Sequence, residues 1–482
     1  MAVLTPERTG PLPAVRGERP ARRALRHLPF AIMFVLAALL RVVAMIAYQG
    51  VLWFPDSHSY LAVAVAPTPF PARPQGYAFF LRMLEPVHSL AFVAGVQHAM
   101  GLAAGVLIYL TLRRFRTPGW VAALCVAPVL FDAYQLEMEH MLLSDALFWF
   151  LVLVAVVLVL WWPRWWPALA GAGLALGLAA VTRSVGLPLL GVFAAYLLVR
   201  RRWRSVLVTA GACALPIAAY ALWFHGTWGT YAMTNSDGVF LYSRTAAFAD
   251  CSVIRPPASE RALCPREPVG RRGPSPNYIW HLGVLGPMTN HRKFSPAVNA
   301  WTGDFAKRAI LAQPGAYLAT GLGDVAKTFG GGRMPYPTRY AVSLYDFPAR
   351  VKPQKPTSKP LPGVTLGRAI DTYTASDSTG LPKVEPGYAA FLRVYQHVFY
   401  LSGPPLALIL AGGGVVLLVR RRRAASALLP WASAVVLLVV PPFTAAFDYR
   451  YVIPAVPLAC LALGAALGGV RWRYSGLSST RS

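Results

Sequence analysis

The chain has 482 residues, 56% of them hydrophobic and only 13% charged, with a formal net charge of +27. A soluble protein of that size carries about 25% charged residues, so an ordinary soluble enzyme is excluded, and repeated apolar runs of about 20 residues indicate an integral membrane protein. No nucleic-acid motif accompanies the basic charge, so its explanation must lie in where the charge falls along the chain.

Residues 1–27 hold six arginines and several prolines, a composition that predicts a disordered basic segment. No small-residue cleavage site follows them, so the long apolar run after it reads as a retained signal anchor. Apolar runs between charged punctuation predict an all-α polytopic protein with ten spans: 28–48, 90–112, 118–136, 143–162, 166–182, 184–199, 205–224, 397–419, 426–446 and 450–469. Seven come first and three last. The seven-span part, 28–224, has a first outer loop at 49–89, and a large segment, 225–396, separates spans seven and eight. Basic clusters fall at alternate span ends: residues 1–27, "RRFR" (113–116), Arg164, "RRRWR" (200–204), "RRRR" (420–423) and "RWR" (471–473). This positive-inside pattern predicts cytoplasmic termini, including the tail 471–482, and inner-leaflet lipids as partners of the charge. The acids are opposite. Glu7 and Glu18 lie on the predicted inner side, whereas Asp56, Glu85, Asp132, Glu137, Glu139, Asp145 and Asp448 fall at or near the outer edge. Any chemistry is expected there.

Arg41 lies in the outer third of the first span. It can snorkel to the headgroups or hold a phosphate at the membrane boundary, where a planar guanidinium fits well. Next comes "FPDSHSY" (54–60). Asp56 suits a helix cap, or a general base held just above the bilayer to take a proton from a hydroxyl. His58 and Tyr60 can bind substrate or sit at the interface. The fourth span is introduced by "LEMEHMLLSDALFWF" (136–150). If helical throughout, it puts Glu137, His140 and Ser144 on one stripe beside Asp145. With Glu139, these groups can hold a divalent cation such as Mg or Mn through oxygen ligands, or sugar hydroxyls. "TRSVGLP" (182–188) places Arg183 between two spans, and "FDYRYVIP" (447–454) places Asp448, Arg450 and Tyr451 at the head of the last. Arg41, Arg183 and Arg450 together suggest an outward anion site, with Tyr451 a substrate contact.

The large segment is too long for a connector. Residues 235–251 mix turn residues with a short aromatic, strand-like run. In 295–329, Ser295 can cap, Pro296 suits a first turn and Pro314 interrupts, which predicts two short amphipathic helices on the membrane surface. Residues 333–387, crowded with Pro, Gly and Lys, read as an irregular mobile loop. Cys251 and Cys264 are placed to pair in an oxidising compartment, while Cys125, Cys213 and Cys460 fall in spans and read as packing residues.

Several stretches resemble polytopic glycosyltransferases of the GT-C superfamily, which includes protein O-mannosyltransferases and bacterial lipid A aminoarabinose transferases. Asp56 in "FPDSHSY" occupies the place of that superfamily's acid after the first span. "RPQGYAFFLRML" (73–84) resembles its Pro-Gly-Tyr juxtamembrane segment. "LEMEHMLLSDALF" resembles its Glu-rich second outer loop, with Ser144-Asp145 where a Ser-Glu pair is common. "TRSVGLPLL", "RYVIPAVPLACLALGAAL" (450–467) and "AKRAILAQPGAYL" (306–318) are also similar to family segments. The high Ala, Arg and Gly content suggests a GC-rich bacterium of the actinobacterial kind.

The resemblance implies sugar transfer from a polyprenyl-phosphate-linked donor to an extracytoplasmic glycan, lipid or protein acceptor. Asp56 would be the base of an inverting displacement, Arg41, Arg183 and Arg450 would hold the donor phosphate, and the large segment would meet the acceptor or close over the site. Other readings are a transporter or flippase of lipid-linked sugars and a non-catalytic envelope-assembly scaffold. A membrane O-acyltransferase would need a histidine in a span. His98 is the closest, and it has no acidic neighbour in sequence.

Overall fold

A computed structural model of the chain describes residues 26–376, 382–419 and 421–468. The predicted tail 471–482, Arg420, and all but the last two residues of the basic segment 1–27 lie outside these. The first span is α1 (Leu28–Ala47), followed by the short strand β1 (Tyr48–Gln49), α2 (Ser57–Val65) and α3 (Gly76–Leu84). Then come α4 (Leu90–Arg114), α5 (Gly119–Phe131), α6 (Ala133–His140), α7 (Asp145–Trp161), α8 (Trp166–Thr182), α9 (Leu187–Val199) and α10 (Trp203–Trp228). The large segment contributes α11 (Asp237–Ala246), α12 (Pro296–Ala312), α13 (Pro314–Lys327), α14 (Leu366–Thr374), β2 (Lys383–Val384) and α15 (Pro386–Val398). The chain closes with α16 (Gly403–Val419), α17 (Arg421–Thr444) and α18 (Val456–Leu467).

Among the described residues, five helical stretches are long and apolar enough to cross a membrane: Leu28–Ala47, Leu90–Arg114, Trp203–Trp228, Ser426–Thr444 and Tyr449–Leu467. Two bent pairs, α5 with α6 at 50° and α15 with α16 at 55°, pass the same test jointly, and Asp145–Trp161, Trp166–Thr182 and Ser184–Val199 are shorter apolar helices. Five, two and three pieces make ten, in the order of the ten predicted spans. The protein is a multi-pass helical membrane protein.

One carboxylate explains both bends. Asp132 ends α5, and its Oδ1 accepts the Gln135 backbone N–H at 2.8 Å, capping α6. Its Oδ2 accepts the Leu401 N–H at 2.6 Å, in the turn between α15 and α16. Tyr395 donates its hydroxyl to the Phe131 carbonyl at 2.6 Å and closes the same junction. The third and eighth spans therefore break where a continuous apolar run predicted unbroken helix. Asp132→Ala removes both caps and is expected to cost about 2 kcal/mol. A fall of several degrees in the apparent Tm of detergent-purified protein would show it, and an unchanged Tm would count against the cap role.

Among the described residues two large apolar cores form, beside a small cluster of Val181, Tyr220 and Phe224. One lies within the spans and includes Trp149, Phe193, Leu410 and Leu461. The other joins the first outer loop to the large segment, with Tyr60, Tyr77, Tyr242, Phe305, Tyr345 and Ile370 buried in common. β1 pairs antiparallel with β2, Tyr48 opposite Val384, and this ties the first loop to the end of the large segment.

Three expectations need correction. The run 235–251 is not strand-like. Val239, Tyr242 and Ala246 recur at helical spacing and are buried, and α11 packs so closely on α12 that a Cβ at Gly238 would lie 2.0 Å from the Asn299 carbonyl oxygen. Residues 333–387 contain α14 and β2, and Tyr345, Phe347, Leu361 and Tyr373 from this stretch are buried, because its scattered apolar residues reach the outer core. The fourth span is not helical from Leu136. The chain is extended at Met141, which bridges to Leu52, so Glu137, His140 and Ser144 do not share a stripe. The predicted break at Pro314 is present, and Ser295 caps α12 by accepting the Val298 N–H. Cys251 and Cys264 are joined by a disulfide, while Cys213 and Cys460 are buried.

Candidate active site

Asp56 stands at the N-cap position of α2, but its side chain makes no capping hydrogen bond. Ser57 organises the turn in its place: its Oγ accepts the Phe54 N–H at 2.9 Å and donates to the Leu142 carbonyl at 2.7 Å. The Asp56 carboxylate is thereby left for two arginines distant in sequence. Oδ1 meets Arg73 Nη2 at 2.8 Å, and Oδ2 accepts from Arg450 Nη1 at 2.9 Å. Burial alone would push this carboxyl up, but Arg73 and Arg450 outweigh it and hold it below the ordinary aspartate range.

Each arginine is itself positioned. Arg73 Nη1 donates to Ser59 Oγ at 3.1 Å, one turn along α2. Arg450 Nη1 reaches Asp56 from the turn before α18, where the Arg450 N–H is fixed by Asp448 Oδ1 at 3.1 Å. Its guanidinium lies over the rings of Phe54 at 5.0 Å and Tyr451 at 5.3 Å. Its buried Nε, 3.7 Å from Asp448 Oδ2, makes no hydrogen bond. Arg183, at the end of α8, pairs with Asp145 at the start of α7 and lies 5.1 Å from the centroid of the same Tyr451 ring. One Asp145 oxygen, Oδ2, is buried without a partner.

The large segment completes the cluster. Tyr345 donates its hydroxyl to Asp448 Oδ1 at 2.7 Å and stacks on Phe54 at 5.5 Å. Burial and the adjacent Asp448 carboxylate keep that phenol protonated, well above its ordinary range. On α2, His58 Nε2 meets Gln354 Oε1 at 2.8 Å, and Tyr60 donates to Ser144 Oγ at 3.0 Å. Asp56, Asp145, Arg183, Arg450 and Tyr451 are thus brought together, with His58 and Tyr60 on the adjoining helix. Arg73, Asp448 and Tyr345 belong with them. In the sequence Arg73 only opens the juxtamembrane segment 73–84, and nothing local marks Tyr345.

Arg41, Glu139 and His140 lie elsewhere. Arg41 Nε and Nη2 grip the two Glu139 oxygens at 2.9 and 3.0 Å, and Nη1 donates to the Leu130 carbonyl at 3.0 Å. Glu139 also meets His98 Nδ1 at 3.0 Å, His98 Nε2 meets His140 Nδ1 at 3.0 Å, and His140 Nε2 meets the Tyr48 carbonyl at 2.9 Å. All four side chains are buried. The expectation that Arg41 faces an outer anion meets a guanidinium already committed inside the bundle, and His98 has the acidic neighbour that its local sequence lacks. Glu137 is separate again: Oε2 accepts from Gln396 at 2.9 Å, and Oε1 has no partner. Among the described residues no group of three His, Cys, Asp or Glu side chains is placed to hold a metal. The carboxylates expected to supply a cation's ligands are committed separately, Glu139 to Arg41 and Asp145 to Arg183.

The crevice beyond Tyr449, between Leu406 and Val456 with Lys327 and Arg333 at its edge, encloses about 60 Å³. Ligand sites run from roughly 300 Å³ upward. That crevice is smaller than a ligand site, and Asp56, Arg73, Arg183 and Arg450 are not among the residues that line it.

No known family model matches the chain, and no curated protein does. Solved structures similar to it include the apo oligosaccharyltransferase of Archaeoglobus fulgidus, at 12% identity over 90% of this chain and 50% of that one, TM-score 0.41. ArnT from Cupriavidus metallidurans bound to undecaprenyl phosphate is 13% identical over 91% of this chain and 78% of that one, TM-score 0.36. The Saccharomyces cerevisiae protein O-mannosyltransferase Pmt1–Pmt2 complex bound to its sugar donor is 17% identical over 46% of this chain, TM-score 0.34, and the match spans only 36% of its length. All three are under 25% identical to the chain, with TM-scores below 0.5. The likeness concerns the fold alone, and no residue role follows from it.

Proposed function

We propose that the chain is a membrane glycosyltransferase that moves a sugar from a polyprenyl-phosphate-linked donor to a cell-envelope glycan, lipid or protein, at the extracytoplasmic edge of its spans. The observation that carries this reading is the convergence on one buried carboxylate, Asp56, of arginines from the first loop and from the head of the last span. The arginine distribution along the sequence supports cytoplasmic termini and an outward site.

A donor anchored by its tail presents its phosphate at the membrane edge. Arg450 and Arg183, both seated on Tyr451, are the groups that would exchange Asp56 and Asp145 for that phosphate. Once Arg450 turns to the donor, one Asp56 oxygen is free to accept the proton of an acceptor hydroxyl. The acceptor oxygen then bonds to the anomeric carbon as the carbon–oxygen bond to phosphate breaks, and the electron pair leaves on the phosphate. The guanidinium groups stabilise that developing charge. Direct displacement inverts the anomeric centre. His58, Tyr60 and Tyr451 supply polar and ring contacts for the sugar and acceptor.

The deciding experiment is radiolabel transfer by purified protein in lipid vesicles, offered a panel of polyprenyl-phosphate hexoses and pentoses with envelope extract as acceptor. Transfer from one donor, with inversion, is expected. Donor binding without transfer from any would point to a flippase, and neither binding nor transfer would leave a scaffold.

A pH profile follows from Asp56. Because its folded-state pKa is depressed, its ionised contacts stabilise the fold above the unfolded value and are lost as pH falls through the folded value. The acid limb of kcat/KM, which reports the free protein with both arginines on Asp56, is therefore expected below the ordinary aspartate range. Arg73→Met removes one opposing charge and should move that limb upward. An unmoved limb would detach it from Asp56.

A further inference from the structure

A second concentration of charge lies at the opposite end of the helices. α7 runs 17 residues from Asp145 to Trp161, and α8 returns from Trp166 towards Arg183. At 1.5 Å per residue, the turn between them is about 25 Å from the Asp56 cluster. The turn joining α9 to α10 lies beside it, and Arg202 Nη1 ties the two together by donating to the Pro163 carbonyl at 2.6 Å. Arg164, Val199, Arg200, Arg201 and Arg202 line an open concavity of about 480 Å³.

Among the described residues, its four arginines face no carboxylate. The chain has no Asp or Glu between Asp145 and Asp237, and among the described residues none of the four takes part in an ion pair. Burial and repulsion from Arg164 and Arg200 depress the Arg202 pKa. Arg201 holds φ at 54°, a left-handed conformation that costs a non-glycine residue energy. The fold thus concentrates like charge where no acid among the described residues offsets it.

The surroundings indicate which anion fits. Trp165, Trp166 and Trp203 are 54%, 69% and 58% exposed around the concavity, and Leu198, Val199 and Leu207 continue an exposed apolar flank. Tryptophans collect at headgroup depth, and apolar flanks of membrane helices face acyl chains. We propose that this concavity binds the phosphate headgroup of an anionic phospholipid, with its tails along Leu198, Val199 and Leu207. Guanidinium pairs suit phosphate geometrically, and the site is independent of the transfer chemistry at the other end.

The test is native mass spectrometry of the intact protein in neutral detergent, equilibrated with phosphatidylglycerol, phosphatidylcholine or inorganic phosphate. Phosphatidylglycerol should be retained and phosphatidylcholine not. Each arginine removed should weaken retention roughly fivefold, so Arg164→Ala/Arg200→Ala/Arg201→Gly together should lose about a hundredfold. Arg201→Gly alone keeps the test decisive should the triple variant misfold, since glycine accepts the left-handed backbone without strain. Arg292→Ala, remote from the concavity, should change nothing. Equal phosphatidylglycerol retention by wild type and Arg201→Gly, equal binding of phosphatidylcholine, or saturation by inorganic phosphate at the same concentration would each overturn the proposal.

Discussion

Asp56→Asn is expected to cut transfer by about 10²–10⁴-fold, the usual worth of a positioned general base, while the protein still folds and binds donor. Asparagine keeps the shape of the side chain and one oxygen for Arg73 or Arg450, so the turn built by Ser57, Phe54 and Leu142 is undisturbed. What it loses is the capacity to take a proton. It also loosens Arg450, whose Nη1 no longer faces a full negative charge, so donor affinity should hold or rise as kcat falls. That split separates a base from a structural anion, whose removal would lower affinity and stability together. Asp56→Ala is the contrasting variant: it leaves two guanidinium groups opposed without an acid and should lower Tm as well. Radiolabel transfer and donor titration on both variants decide the matter. Full activity in Asp56→Asn would leave an enzyme but remove this mechanism.

Glu139→Ala is expected to have the largest effect on folding. It strips Arg41 of both oxygens that hold it in a site where the arginine is 3% exposed, and breaking a buried pair by deleting one partner costs about 3–5 kcal/mol. His98 loses its acceptor at the same time. Replacing both partners by apolar residues, Arg41→Met/Glu139→Met, should recover much of the loss, because no buried charge is then left alone. Thermal unfolding of the single and double variants in one detergent checks this. A double variant no more stable than Glu139→Ala would show that the network matters for something other than charge balance. The packing offers a further handle: a Cβ at Gly101 would lie 2.0 Å from Glu139 Oε1, so Gly101→Ala should disturb the same network from the side of α4.

The spans were legible because each is an apolar run bounded by charge, and burial in lipid demands little more. Their breaks were not, since Asp132 caps one helix and holds the turn before another 269 residues away. Asp56, Arg183 and Arg450 stood out because charge beside a membrane is expensive and needs a reason. Arg41 carried the same signal and belongs elsewhere: depth along a helix can be read from sequence, but the direction a side chain faces around the helix axis cannot when the whole surface is apolar. The Glu137, His140 and Ser144 stripe failed for a different reason. It assumed a continuous helix where Leu52 draws Met141 into an extended bridge. Tyr345 was invisible because it enters the cluster only through the fold of the large segment.

That last contact bears on how related chains could be recombined. Tyr345 and Gln354, both from the large segment, reach Asp448 and His58 directly. The segment is therefore tied into the Asp56 cluster, and swapping it wholesale between related chains would exchange part of that cluster's hydrogen bonding as well. A chimera meant to leave the Asp56 cluster intact has to retain the host's own stretch from Tyr345 to Gln354.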